Sequence, residues 1–497
     1  MSRTRTRFFS STQTVVAVAT AGLIAAGPTA YAADRSDGRS AGGLAETASG
    51  ADAYEHLRAF QRIADQNAGV RATGTPGSVA SANYAVDILS RAGYRIQRQA
   101  VPYVDYHVDA ESAQEVSPTV RQVRTLTVRF APVTPPEGVT AQLVVAPTTP
   151  QNTGGCSAAD YDGLPVRGSI VLARAATCGY TAQQQVVAAL GAQAILLYID
   201  TPHPENIFRL HAFDRPAFTI PTGTVSQTQA NQLAGDAARQ PVRLHLTLRG
   251  HDVTGTTENI LAETRGGRAA HTVMAGAHYD SVTEGPGIDD NASSAAALLA
   301  TAVRLGPSQD KVRNKVRFAL WGAEELIDVG SNFYVAHLSS QERTDIALYL
   351  NFEMIAAPNF ARFLMDGDAS DQPPGSPAGP PGSGAIEKVF MRYFDSVGLP
   401  FVAQNIAAVG SDHEPFMTAG IPIGGVNGAA FGVKTPAEAA LFGGQAGQFY
   451  DHCYHQPCDT LANINRRALD ENVSAIASVV GRFADDVSDV ETVRADR

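Results

Sequence analysis

The chain has 497 residues, 44% of them hydrophobic and 18% charged, with 45 Gly and 28 Pro. That length suits two or three domains, and the composition excludes disorder throughout. Forty-nine acidic against 38 basic side chains give a formal charge of −11, which argues against a grip on nucleic acid or an anionic membrane. The 4 cysteines are too few for a disulfide scaffold.

The first residues read as an export signal. Arg3, Arg5 and Arg7 are followed by the uncharged apolar stretch Thr14 to Gly27, and Ala30-Tyr31-Ala32 supplies the small residues a signal peptidase reads. The apolar run is too short to span a bilayer, and no later stretch reaches about 18 uncharged apolar residues, so no stable membrane anchor is expected. A twin-arginine pair is absent, which favours ordinary secretion to a compartment where cysteines can pair.

From Ala51 to Ala92 the periodicity predicts two amphipathic helices, with Leu57, Phe60, Ile63 and Ala64 on one face and Tyr84, Ile88 and Leu89 on the next. The turn-rich loop Arg71 to Gly77 joins them. Arg95 to Val108 and Val120 to Phe130 alternate apolar and polar residues, as half-solvated strands do. Pro132, Pro135, Pro136 and Gly138 then punctuate the chain. Between Val139 and His251 short strands and turns follow, centred on Val166 to Arg174, a helical stretch Thr181 to Leu190 and the strand Ile195 to Tyr198. Tyr161-Asp162-Gly163, the Gly-Ser-Ile-Val-Leu strand, Cys178-Gly179-Tyr180, Gly191-Ala192 and Ile220-Pro221 resemble the protease-associated (PA) domain inserted in many secreted and vacuolar peptidases.

From Thr254 onward strands alternate with helices, which predicts an α/β fold with a mixed, mainly parallel sheet flanked by helices. Expected strands are His271 to Ala277, Val316 to Trp321, Ile346 to Phe352 and Pro422 to Val426. Expected helices are Ala292 to Leu305 and Gly330 to Leu338. Asp366 to Gly384 is too rich in proline to pack and reads as a surface loop. The expected division is a signal peptide 1–32, an N-terminal part of a catalytic domain 33–138, a PA insertion 139–251, the main catalytic part 252–488 and a tail 489–497.

Several acidic and histidine clusters fall where strands are expected to end, the place where open α/β sheets bind ligands. His278-Tyr279-Asp280 follows the first strand, Asp289-Asp290 leads into a helix, Glu324-Glu325 follows the second strand, and Glu353 the third. His455 stands in Cys453-Tyr454-His455-Gln456-Pro457-Cys458. Each cluster alone is ordinary. Together, two histidines and three carboxylates from separate strand ends suit two zinc-sized ions bridged by one shared carboxylate. One of the adjacent Glu324 and Glu325 can bind metal while the other faces the cleft as an acid or base. Asp280, two residues from His278 on a strand, shares its side and can hold that imidazole.

These segments, in order from Ala275 to Asn463, resemble the secreted co-catalytic zinc aminopeptidases, the family that includes aminopeptidase Y and the glutamate carboxypeptidases. The resemblance implies a zinc-peptidase fold and two Zn2+ per chain. His278 and Glu353 would hold one ion and Glu325 and His455 the other, with Asp290 bridging them. It also implies hydrolysis of N-terminal residues from peptides by zinc-bound water, Glu324 acting as general base and Tyr454 steadying the oxyanion. Asp412, in Ser411-Asp412-His413, and Asn427 are substrate-pocket candidates. The implied substrates are peptides or proteins with a free N-terminus, and a monomer is expected. Nothing in the sequence points to Ca2+. Three positions depart from the family pattern: Glu353 replaces the usual aspartate, Gly410 stands where some relatives carry arginine, and Gly424-Gly425-Val426-Asn427 lacks an aromatic residue at the specificity pocket.

Cys453 and Cys458 flank His455, and Cys156 and Cys178 both lie in the insertion. Three connectivities are open, of which local pairs fit the domain boundaries best. Rival readings are a carboxypeptidase or dipeptidase on the same site, a glutaminyl cyclase using one metal, and a non-catalytic binding protein. Ser293 and Ser294 lack a G-x-S-x-G elbow and read as helix caps. Trp321, the only tryptophan, reads as strand-end packing.

Overall fold

The computed structural model describes residues 48–148, 154–430 and 432–495. The expected signal peptide lies outside the described residues. No helix among them is long and apolar enough to cross a membrane. The chain divides into two compact units, Val104–Val253 and residues 48–103 with 254–495.

In the first unit, strands Val139–Val145, Ile170–Arg174, Ala194–Tyr198 and Thr222–Thr224 pair in parallel in that order. The reason is the uninterrupted apolar run at 170–173. Ile170 and Leu172 face one core cluster, and Val171 and Ala173 face another, so the strand is buried on both sides. Helices Tyr180–Ala189 and Gln227–Ala237 flank this sheet, the second capped by Ser226. This compact unit begins at Val104. Leu126–Thr127 pairs antiparallel with Thr222–Thr224, and the Val128 amide donates to the Thr222 carbonyl at 3.0 Å, tying the earlier segment into this unit. Cys156 and Cys178 form a disulfide here.

The second unit opens with α1, Gly50–Asp65, and α2, Pro76–Arg91. Ser49 and Asp52 form a reciprocal capping box on α1, and Thr75 caps α2 with Pro76 in its first turn. The sheet strands are β1 (the end of Arg243–Glu263), β2 (Arg268–His278), β3 (Asn314–Trp321), β4 (Ile346–Glu353), β5 (Phe363–Asp366), β6 (Val402–Asn405) and β7 (Ile423–Asn427). Their spatial order is β6-β5-β7-β4-β2-β3-β1. The four strands β7, β4, β2 and β3 run parallel, β1 is antiparallel to β3, and β5 is antiparallel to β7.

Alternation along the central strands builds a core on each face. Val273, Ala275, Phe318, Leu320, Leu350 and Phe352 pack with α3 (Ser294–Leu305), α1 and α6 (Arg466–Asp485). Met274, Ala319, Trp321 and Tyr349 pack on the opposite side with Tyr334 of α4 (Val329–Ala336) and with Phe416, whose ring stacks on Tyr349 at 3.9 Å. Helix α6 was not expected from the sequence. Its buried Leu469, Val473, Ile476, Val480 and Phe483 recur every three or four residues, as one covered helical face requires. The proline-rich stretch is an exposed irregular segment that ends at α5, Ser383–Val397.

Candidate active site

His278 is the last residue of β2 and lies in register with Trp321, the last residue of β3. Glu324 and Glu325 follow β3, and Glu353 closes β4 in register with Asn427 of β7. Because these strands are parallel, their carboxyl ends converge, and the ligand candidates arrive at one end of the sheet. Asp290 comes from the turn Ile288–Ser293 that precedes α3. Ala323, Met354 and His455 adopt positive φ of 60°, 48° and 54°, conformations that non-glycine residues rarely hold without support from their surroundings. Two of them flank Glu324 and Glu353, and the third is itself a ligand candidate.

The six side chains form two linked groups, His278 with Glu324 and Glu353, and His455 with Glu325 and Asp290. Asp290 joins them. Its Oδ1 lies 3.4 Å from His278 Nε2 and its Oδ2 3.1 Å from His455 Nε2. His278 Nε2 also lies 3.3 Å from Glu353 Oε1 and 3.6 Å from Glu324 Oε2, while His455 Nε2 is 3.2 Å from Glu325 Oε2. The Tyr454 ring stacks on His455 with centroids 3.8 Å apart. The Cys453–Cys458 disulfide closes the short loop that carries both.

A set of buried groups fixes these side chains, and most of them gave no signal in the sequence. His278 Nδ1 donates to the Asp280 carbonyl at 3.2 Å, with Asp280 Oδ1 3.6 Å away. The Asp280 carboxylate accepts from the Glu324 amide at 3.3 Å and from Thr73 Oγ1 at 2.9 Å. The carboxylate therefore links three parts of the site, while the Asp280 carbonyl is what accepts from the imidazole. Asp459 accepts from the amides of Asp289 and Asp290 at 2.8 and 3.1 Å and so fixes the bridging turn. Arg71 is fully buried, and its guanidinium donates to the carbonyls of Pro286, Tyr279 and Gly287. A relay runs from Trp321 Nε1 to Tyr349 Oη at 2.8 Å, to Asn351 Oδ1 at 2.9 Å, from Asn351 Nδ2 to Ser411 Oγ at 3.0 Å, and to Glu353 Oε2 at 2.7 Å. Trp321 is thus polar anchor as well as packing.

Ser293 is not the cap it resembles. Its hydroxyl donates to the Asp289 carbonyl at 2.7 Å and accepts from the Ile355 amide at 3.2 Å, tying the Asp290 turn to the end of β4. Asp412 is buried close enough to Glu324 for its charge to act on that carboxyl. The Asn427 amide is engaged locally, donating to Gln404 and accepting from the Ala429 amide at 3.0 Å.

Burial pushes the Glu325 carboxyl up to about 7, with Asp290 adding to the rise. Burial and the charges of Asp328, Glu353 and Asp412 likewise raise Glu324 well above the carboxylate range, against the pull of His278. For His455, burial alone would depress the imidazole, but Glu325 and Asp290 outweigh it and push it up to about 10. The cluster concentrates more negative charge than a buried site tolerates unaided, and Glu325 Oε1 is buried without a hydrogen bond. Imidazole nitrogens and carboxylate oxygens in this arrangement fit zinc.

The model for peptidase family M28 matches residues 259–480, and that for the PA domain matches residues 139–233. The chain is 39% identical over 435 residues to a probable lipoprotein aminopeptidase of Mycobacterium tuberculosis, covering 87% of this chain and 84% of that one. It is 37% identical over 447 residues to an aminopeptidase of Pseudomonas aeruginosa, covering 88% and 81%. The fold resembles a zinc aminopeptidase from Bacillus subtilis, with TM-score 0.67, 20% identity and coverage of 89% and 98%. It also resembles a peptidase M28 precursor from Shewanella amazonensis, with TM-score 0.68, 20% identity and coverage of 90% and 96%. The chain belongs to peptidase family M28 and carries a PA domain.

Proposed function

We propose that the chain is an exported zinc aminopeptidase that removes N-terminal residues from peptides, with two zinc ions sharing Asp290. His278 and Glu353 would hold one ion, and Glu325 and His455 the other. The observation that carries this reading is the position of Asp290, whose two carboxylate oxygens each face a different imidazole. When bound, zinc supplies a Lewis acid and lowers the pKa of its water to about 7.

The chain's own residues do the rest. Glu324, whose Oε2 lies 3.6 Å from His278 Nε2 at the convergence of the ligand candidates, is placed to take a proton from water and give it to the leaving amine. The Tyr454 hydroxyl is pushed well above 10 by burial and by Asp290, Glu325, Glu324 and Glu353. A phenol is ordinarily protonated at neutral pH, so this hydroxyl can donate to a carbonyl oxygen as negative charge develops there. The surrounding carboxylates suit a substrate's α-ammonium, which favours a free N-terminus. The segment 139–251 is read as a PA insertion in the catalytic chain, a reading supported by the PA match at 139–233. The formed disulfides fit an oxidising compartment, in line with cleavage of a signal after Ala32.

Glu324→Gln removes the proton carrier and keeps the shape. It should lower kcat on aminoacyl anilides by roughly 10²- to 10⁴-fold while zinc content stays at two per chain. Retained turnover in that variant sinks the role of Glu324. Equal cleavage of N-acetylated substrates would replace the aminopeptidase reading with another peptidase specificity. A single tight zinc per chain would point to the cyclase instead.

A further inference from the structure

A second cluster of oxygen ligands lies in the same unit, away from the zinc-binding groups. Asp366 ends β5 and is fully buried. Its two carboxylate oxygens accept from the amides of Ser370 at 3.1 Å and Asp371 at 2.9 Å, which curls Asp366-Gly367-Asp368-Ala369-Ser370-Asp371 into a compact turn. Glu387, on α5, reaches this turn from the other side. Its Oε2 accepts from the Gly367 amide at 3.0 Å, and its Oε1 is buried with no hydrogen-bond partner, although the residue is only 2% exposed. One ligand oxygen each from Asp366, Asp371 and Glu387 lie within 4.8 Å of one another. Asp371 is exposed, which leaves one side open to water. The neighbouring Asp368 is held at 3.2 Å by Lys388, so that lysine's charge is engaged at the margin of the cluster.

We propose that Asp366, Asp371 and Glu387 bind a calcium ion that ties the proline-rich segment 367–382 to helix α5. The donors are all carboxylate oxygens, the hard set that calcium and magnesium take, with none of the imidazole found at the zinc groups. The three oxygens lie within 4.8 Å of one another, close enough to share one cation, and a set drawn from one turn and one helix suits calcium, which accepts irregular oxygen geometry, better than magnesium, which demands a near-ideal octahedron. The unpartnered Glu387 oxygen supplies the independent observation, because a buried carboxylate oxygen without a donor calls for a cation or a proton. Burial, with Asp366, Asp368 and Asp371 alongside, raises the Glu387 carboxyl to about 7, as expected where negative charge is crowded.

The location assigns this ion a structural role. Phe363 at the start of β5 lies in register with Asn427 at the carboxyl end of β7, whereas Asp366 at the far end of β5 is in register with Asn405. The cluster therefore sits at the opposite end of these strands from Glu353, and its existence does not depend on the reaction proposed above.

The test uses zinc-loaded, full-length protein freed of calcium and titrated with CaCl2 by calorimetry, with zinc content measured before and after. One calcium should bind per chain without release of zinc. If its affinity resembles that of extracellular calcium modules, 5 mM CaCl2 should slow proteolysis within 367–382 by roughly 6- to 50-fold. Glu387→Gln should abolish both effects. Asp371→Asn, at an exposed position that does not threaten folding, should weaken calcium binding about tenfold or more by removing one carboxylate ligand. Absence of calcium binding to the unaltered protein overturns the proposal. So does unchanged calcium affinity in Asp371→Asn, or equal protection by magnesium at the same concentration.

Discussion

Ser411→Ala tests whether the buried relay behind Glu353 tunes the proposed two-zinc centre. Ser411 Oγ donates to Glu353 Oε2 at 2.7 Å and accepts from Asn351 Nδ2 at 3.0 Å, and both Ser411 and Asn351 are fully buried. Removing the hydroxyl strands a carboxylate oxygen and an amide hydrogen where no water shell can replace it, at about 1–3 kcal/mol for a stranded group. Partners that orient a metal-binding side chain typically contribute 10- to 100-fold in metal affinity, equivalent to about 1.4–2.8 kcal/mol. Zinc should therefore leave Ser411→Ala in two phases under chelator competition. The site of His278 and Glu353 should be weakened by roughly that factor, and the site of Glu325 and His455 left near its original affinity. Thermal melts of the metal-free proteins separate this from general destabilisation. If both zincs are released as in the unaltered protein, the relay has no part in holding Glu353 and the reasoning fails.

Replacing both Cys453 and Cys458 with serine opens a loop of sequence separation 5, which should lower stability by about 2 kcal/mol and reduce zinc retention through His455. Melting curves and zinc analysis after gel filtration check this, and full zinc retention would count against the loop's role. His413 is fully buried, donating from Nε2 to the Ile406 carbonyl at 3.2 Å, and burial depresses its imidazole from 6.5 to about 4. Between those values the unfolded chain takes up a proton that the folded chain excludes. Its contribution is thus complete above pH 6.5 and lost as pH falls towards 4, by about 3 kcal/mol. The denaturant stability of the unaltered protein minus that of His413→Gln should fall across this window, and a difference independent of pH would refute the shift.

The parts of the fold legible in the sequence are those whose burial is written in consecutive residues. Val273 to Ala277 and Ile346 to Leu350 are uninterrupted apolar runs because each strand is covered on both faces, and the structure places parallel strands at both. Strand β5 has only four residues and borders the proline-rich segment, too short for a period to show. Helix α6 carries Arg466, Arg467, Asp470 and Glu471 in its first turns, which interrupt the apolar spacing before its buried face becomes regular. The strand Arg243–Glu263 contains Gly250-His251-Asp252, which reads as a break although the backbone continues through it.

The same contrast separates the ligand candidates from the groups that hold them. His278, Glu324, Glu325 and Glu353 are conspicuous because each is a charged or titratable residue at the end of an apolar run, and a sheet brings such ends together through strand pairing alone. Thr73, Asp459 and Ser411 have no comparable local context. Thr73 meets Asp280 across 207 positions, and Asp459 reaches the amides of Asp289 and Asp290 across 170 and 169. Their importance comes from closure of the fold, since each satisfies a group that the converging strand ends would otherwise leave buried and unpaired. Substitutions at these positions should therefore alter the metal centre without touching a ligand, and Ser411→Ala is the cleanest case because its one hydroxyl serves both Asn351 and Glu353.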